Sequence, residues 1–276
     1  MNIGIVGLGL IGGSFARVIK QNPHNKVYAA DVNRSAYLAA CMTGSCDDEL
    51  NETNIGLCDY ILVCAYPEAS VNYITENKSR FKKGAVVVDC CGIKRDICER
   101  LNPLNENSEF IFIGGHPMAG TQQWGFSHSR ASLFSNASMI LTPDGTADIS
   151  TLEQVKNFFL KCGFGTVVFT TPEEHDKIIA FTSQLPHIIS NAYVKSPSAL
   201  QHKGFSAGSY KDMSRVAKLN GNLWGELFLK NSDYLIDELD ILIENLSKYR
   251  DALKNNDEKE LSQLLTDGSE CKAKAK

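Results

Sequence analysis

The chain opens with MNIGIVGLGLIGGSFARVIKQNPHNKVYAADVN, residues 1–33, and this stretch decides the fold. Ile3, Ile5 and Val6 are β-formers that, with Gly4, predict a short buried strand. Gly7, Gly9 and Gly12 follow as G-x-G-x-x-G. Phe15, Ala16, Val18 and Ile19 then fall at helical spacing, and a strand-like run over residues 26–30 ends in Asp31, nineteen residues after Gly12. Strand, tight turn, helix, strand and acid in this order form the context in which a glycine-rich turn binds a dinucleotide. Gly7 permits the turn, Gly9 lets backbone approach a pyrophosphate, and Gly12 lets the helix pack close to the strand. The N–H groups at the helix start, among Leu8, Leu10 and Ile11, are expected to face the phosphates. Asp31 is expected to hold the ribose hydroxyls and repel a 2′-phosphate, which favours NAD over NADP. Arg34 works against that preference if it neutralises a phosphate, and not if it is a solvated surface residue.

Outward from this unit, strands and helices keep alternating. Residues 35–43 read as helix, and the acidic residues 47–52 as exposed chain. YILVCA (60–65) predicts a third buried strand that brings Cys64 and Ala65 towards the cofactor, and residues 67–74 begin a helix. GAVVVDC (84–90), FIFIG (110–114), MILT (139–142) and residues 166–169 read as further strands, with an amphipathic helix over 151–162. This alternation implies a doubly wound parallel α/β sheet, a Rossmann domain. From Pro172 the β signal stops. Residues 173–193 carry helical apolar spacing with Pro186 expected to bend them, and 223–253 read as one long helix. The tail GSECKAKAK is expected to be disordered. The expected division is a nucleotide-binding domain over 1–171 and an all-α substrate and dimerisation domain over 172–276. Long apolar helices in so small a domain favour a homodimer.

The totals exclude several classes. With 276 residues and 43% hydrophobic content the chain can bury a substantial core. A net charge of −4 makes no electrostatic case for nucleic acid or an anionic membrane as partner. No apolar run reaches bilayer length. Nine cysteines form no disulfide or zinc pattern, contain no C-x-x-C and are odd in number. Reduced thiols in a cytoplasm are the expected reading, with no metal.

Four stretches carry polar residues that the fold alone does not require. GGHPMAG places His116 just past an expected strand end, where open α/β sheets bind ligands. EEHDKIIAFTSQLPH carries His175, Asp176, Ser183 and His187, the last two sharing a helix face if the helix is unbroken. GFSAGSYKDMSR carries Lys211, Asp212 and Arg215, and Trp224 follows. Each has a structural alternative: His116 as a turn residue, Arg215 as a surface cation, Trp224 as core. Met118, Phe126 and Phe134 are assigned to packing, and His24, His128 and His202 to the surface. Together, behind a dinucleotide fold, the polar groups point to hydride transfer from a carbon bearing a hydroxyl. The cofactor takes the hydride and the protein must take the proton. Histidine titrates near working pH, and arginine offers a fork of donors to a carboxylate.

These motifs resemble the prephenate dehydrogenase family of tyrosine biosynthesis. The likeness covers nearly the whole chain: GLGLIGGS, DCCGIK, GGHPMAG, HDKIIAFTSQLPH and GFSAGSYKDMSRVA, in that order. The resemblance implies NAD-dependent oxidative decarboxylation of prephenate to 4-hydroxyphenylpyruvate. It implies that His116 accepts the C4 hydroxyl proton, that Arg215 holds the ring carboxylate, and that Ser183 and His187 line the pocket. His175, Lys211 and Asp212 are then expected near the pocket mouth, and Trp224 as an aromatic wall. Two features depart from the family. The serine of its D-x-G-S-x-K stretch is replaced by Gly92, so its orienting role is absent, supplied by water or taken by Cys91. The tyrosine-binding ACT domain of some relatives is not expected here. Arogenate differs from prephenate by an ammonium in place of a keto group. Gln122, just after GGHPMAG, offers no charge to that ammonium, so prephenate is the expected substrate. Other Rossmann dehydrogenases with helical second halves, such as pyrroline carboxylate reductases, lack GGHPMAG and S-Q-L-P-H. A non-catalytic NAD sensor would not need the His, Ser and Arg set.

Overall fold

The computed structural model describes residues 1–275. The opening unit folds as read: β1 (Asn2–Val6), α1 (Leu10–Ile19) and β2 (Lys26–Ala30). After them come α2 (Arg34–Met42), β3 (Asp48–Glu49), β4 (Tyr60–Val63), α3 (Pro67–Asn77), β5 (Val86–Asp89) and α4 (Arg95–Leu101). Then β6 (Ile111–Pro117), β7 (Ser138–Thr142), α5 (Ile149–Lys161) and β8 (Thr166–Phe169) complete one sheet in the order β3-β2-β1-β4-β5-β6-β7-β8. Period-two alternation divides its apolar side chains between two layers. Ile3, Ile5, Leu62 and Val88 join Phe15, Phe134 and Phe159 on one face; Ile61, Val63 and Val87 join Ile97, Phe110 and Phe112 on the other.

The sheet departs from the sequence reading in three places. It is not wholly parallel, because β7 runs antiparallel to β6. That pairing joins Gly115 to Leu141 and His116 to Ile140, so β6 runs to Pro117 rather than ending at Gly114. His116 therefore sits in a strand, beyond the point where β6 stops pairing with β5 at Ile113. Within 47–52, expected to be exposed, Asp48 and Glu49 form the edge strand β3 and Leu50 is buried. The Asp47 carboxylate organises this corner by accepting bonds from the Val27 N–H and Lys20 Nζ, both at 2.7 Å.

Beyond β8 every element is helical: α6 (Pro172–Ile179), α7 (Leu185–Tyr193), α8 (Gly208–Ser214), α9 (Gly221–Lys230), α10 (Ser232–Lys254) and α11 (Glu258–Lys274). Between α6 and α7, residues 180–184 form a wide π turn in which the Leu185 N–H reaches back to the Ala180 carbonyl. Pro186, next in the chain, has no N–H to continue the α ladder. The expected single helix over 223–253 is broken at Asn231, whose buried side chain donates to Asp176 O at 2.9 Å and Gln184 Oε1 at 2.8 Å. The tail expected to be disordered is helical through Lys274; Lys276 lies outside the described residues. Asp257 caps α11 at the Glu260 N–H (2.9 Å), and the Tyr249 hydroxyl ties it to α10 through Leu264 O (3.0 Å). Among the described residues no helix is long and apolar enough to cross a membrane.

Candidate active site

The glycine-rich turn is built by close approach. Gly7 has φ +89°, and a Cβ there would stand 2.5 Å from Cys64 O at the end of β4. A Cβ on Gly12 would stand 1.9 Å from Gly7 O, so α1 reaches the strand only because that position is bare. Gly9 differs. No protein atom lies within 4 Å of where its Cβ would be, so protein packing does not require glycine there. The space there is open at the start of α1, where a dinucleotide would need a bare backbone to approach closely. The Leu8 N–H, expected to face a phosphate, instead donates to Asp31 Oδ2 at 2.5 Å, while Asp31 Oδ1 accepts from Asn33 N–H at 2.6 Å. That leaves Leu10 and Ile11 as the expected phosphate-facing positions of the turn. Arg34 is engaged elsewhere: it pairs with Glu49 at 2.8 Å and lies over the Tyr37 ring at 4.4 Å. Ala65, beside Cys64, accepts from the Cys91 thiol at 3.4 Å.

His116 lies at the carboxyl end of the sheet, and what surrounds it is largely buried. Its Nδ1 is 2.8 Å from His175 Nε2, and His175 Nδ1 is 2.7 Å from Asp176 Oδ1. Asp176 also accepts the Lys94 N–H (2.7 Å) and the Arg95 N–H (2.9 Å), capping the first turn of α4 from the helical half. His175 is 3% exposed, so it stands behind His116 rather than at the pocket mouth where it was expected. Beneath them Asp89 and Lys94 form a fully buried ion pair, and Asp89 Oδ1 also accepts the Gly115 N–H at 3.1 Å. Gly114 and Gly115 have to be bare: a Cβ would meet Thr142 Oγ1 at 2.3 Å at the first and Asp89 O at 2.6 Å at the second. Burial, with His175 and Lys94 adding to it, pushes the His116 imidazole well below its usual range. Burial also lowers His175, against the raising pull of Asp176.

The other ring nitrogen of His116 faces the gap left by Gly92. A Cβ on Gly92 would lie 3.8 Å from His116 Nε2 and 3.5 Å from a Leu227 methyl. Cys91 does not fill this gap; its thiol is engaged by Ser70 and Ala65 O, both at 3.4 Å. Next to Leu227 in α9, Trp224 packs its ring on His187 with centroids 4.0 Å apart. Ser183 is half-buried in the π turn, and its carbonyl bonds His187 Nδ1 at 2.7 Å. The break before Pro186 thus leaves Ser183 and His187 in contact. Burial lowers His187, the Ser183 carbonyl opposes this, and the Arg215 charge adds to the lowering. Arg215 also lines an open cleft of about 530 Å³ with Gln122, Tyr210, Lys211, Asp212 and Lys218. Of the packing assignments, Phe126 and Phe134 are buried but Met118 is 36% exposed. His24 and His128 are exposed as expected, whereas His202 is half-buried and stacks on Tyr210 at 4.3 Å.

Sequence reading named Asp176 without placing it, and missed the Asp89–Lys94 pair and Asn231. A signal existed for the pair, since Asp89 ends an apolar strand and Lys94 lies five residues on within the quoted DCCGIK motif.

The model of the prephenate dehydrogenase nucleotide-binding domain matches residues 15–168, and that of the prephenate dehydrogenase dimerization domain matches residues 171–267. The chain belongs to the prephenate dehydrogenase family. It is 30% identical over 266 residues to a prephenate dehydrogenase of Bacillus subtilis, covering 93% of this chain and 71% of the relative. It is similar in structure to Synechocystis arogenate dehydrogenase, with a TM-score of 0.81, 25% identity and full coverage of both chains. Aquifex aeolicus prephenate dehydrogenase, solved with hydroxyphenyl propionate and NAD+, shares the fold at a TM-score of 0.86 and 24% identity, over 100% of this chain and 98% of that one.

Proposed function

We propose that the protein is an NAD-dependent prephenate dehydrogenase, an oxidoreductase of tyrosine biosynthesis that converts prephenate to 4-hydroxyphenylpyruvate. The observation that carries this is His116, which turns Nε2 to the Gly92 gap while buried neighbours hold Nδ1. NAD, when bound along the glycine-rich turn, supplies the hydride acceptor. His116 takes the C4 hydroxyl proton at Nε2 as hydride leaves the same carbon, and the C1 carboxylate leaves as CO2 so that the ring becomes aromatic. Neutral at working pH because of its burial, it is ready to accept that proton. Arg215 holds the ring carboxylate, with Ser183, His187 and Trp224 walling the ring and Gln122 and Lys211 at the side-chain end. Asp31 holds the adenosine ribose, and the engagement of Arg34 with Glu49 favours NAD over NADP. His175 is assigned no substrate contact.

The charge of the cleft supports prephenate. Its lining carries Lys211, Arg215 and Lys218 against one carboxylate, Asp212, which suits a dianion. Asp212 also favours a second reading, arogenate, by offering a partner to an ammonium. The division near Thr171 separates the nucleotide half from a half that dimerises. Leu229, Ile236, Ile243, Leu246 and Leu253 of α9 and α10 are more than half exposed, an apolar surface suited to a second copy. The free thiols suit a reducing cytoplasm. The test is absorbance at the NADH band with NAD or NADP and prephenate or arogenate in all four combinations. Signal with NAD and prephenate is expected. Signal with arogenate alone would overturn the charge argument, and silence in all four with NAD bound would leave a nucleotide sensor.

A further inference from the structure

Two buried groups behind His116, His175 and Asp176, determine which of its nitrogens carries hydrogen. Asp176 accepts from the Lys94 N–H and the Arg95 N–H and lies 3.5 Å from the Arg95 guanidinium, so it meets His175 as a carboxylate. A carboxylate can only accept. His175 Nδ1, 2.7 Å away, therefore carries the hydrogen. In a neutral imidazole the other nitrogen then has none, so His175 Nε2 is an acceptor. His116 Nδ1 must donate to it across 2.8 Å. That leaves His116 Nε2 bare, on the side that faces the Gly92 gap.

We propose that His175, backed by Asp176, is a positioning residue that fixes His116 in the tautomer with a free Nε2, the role a side chain at position 92 does not perform in this chain. The inference rests on the proposed function in one respect, that His116 is the base. The arrangement also prepares the protonated state. When Nε2 gains the substrate proton, Nδ1–H still points at an acceptor, and the new charge faces the line of His175 and Asp176. The same bond fixes the plane of the His116 ring. Other charged groups packed here are Lys94 and Asp89, which neutralise each other. They do not bond either ring, so the tautomer is set by His175 alone.

The test combines nitrogen-15 NMR of the full-length protein with kinetics of His175→Leu and His175→Gln. In the unaltered protein without substrate, the His116 ring should show hydrogen on Nδ1 and a bare Nε2. Hydrogen on Nε2 would overturn the proposal whether or not either variant folds. His175→Leu, checked for retained NAD binding, should give a mixture of His116 tautomers and a kcat lower by ~10²–10⁴, the span of a general base's contribution, with KM little changed. His175→Gln places an amide oxygen where Nε2 was and should recover at least about tenfold of that loss. A His175→Leu enzyme with unchanged kcat would also overturn the proposal. A protein that forms no NADH from any substrate defeats the proposed function instead, and the NMR result still decides the tautomer.

Discussion

At the scale of single residues, the assignments divide by what each side chain can touch. Arg215 is placed to bind charge, not to move protons, so Arg215→Ala should mainly raise KM for prephenate. An unchanged KM in steady-state assays would mean that the carboxylate is bound elsewhere. Asp31 bonds the Leu8 N–H beside the glycine-rich turn, and on its proposed contact with the ribose Asp31→Ser should relax discrimination against NADP. That is read as the ratio of kcat/KM for the two cofactors, and a ratio unmoved would shift cofactor choice to another residue. Gly7 and Gly12 were legible in the sequence because close backbone approach restricts such positions to glycine. His175 was legible as a polar residue but not in its place. Whether a helical histidine faces solvent or another histidine depends on how two distant segments dock, and local spacing carries no record of that.

At the scale of elements, alternation of strand and helix was legible because burial on both faces of a sheet imposes it on every strand. Direction was not: MILT reads the same parallel or antiparallel, and the reversal of β7 decides how far β6 extends and hence where His116 stands. The joint between α9 and α10 was hidden for a related reason, because the side chain that sits there bonds elements some fifty residues away. Asn231→Ala would leave Gln184 Oε1 and the Asp176 carbonyl without that donor. Loss of such buried partners costs about 1–3 kcal/mol, which urea unfolding should show as a lower midpoint at constant slope. A midpoint within error of the unaltered protein would mean that water replaces the amide. The helical tail was misread from its composition, since Lys and Ala at a chain end look solvated. Asp257 at its start and Tyr249 along it supply what composition does not show.

At the scale of the molecule, His116, His175 and His187 all have their pKa lowered, with burial as the first cause of each. Unfolding releases them to the ordinary value of about 6.5. Below that pH the unfolded chain binds protons that the folded chain refuses, so stability falls as the pH drops from about 6.5 towards the lowered folded values. The slope is at most about 1.4 kcal/mol per pH unit for each of His116 and His175. Melting at stepped pH should show Tm flat above 7 and falling below about 6.5; a Tm flat to pH 5 would mean that these rings are already solvated. The carboxylate of Asp176 has a wider consequence. One side chain from the helical half caps α4 of the sheet half and holds His175 against His116. A jaw opening between the halves would undo both at once. The two halves are therefore expected to unfold as one unit, and calorimetry should record one endotherm in which both melt together.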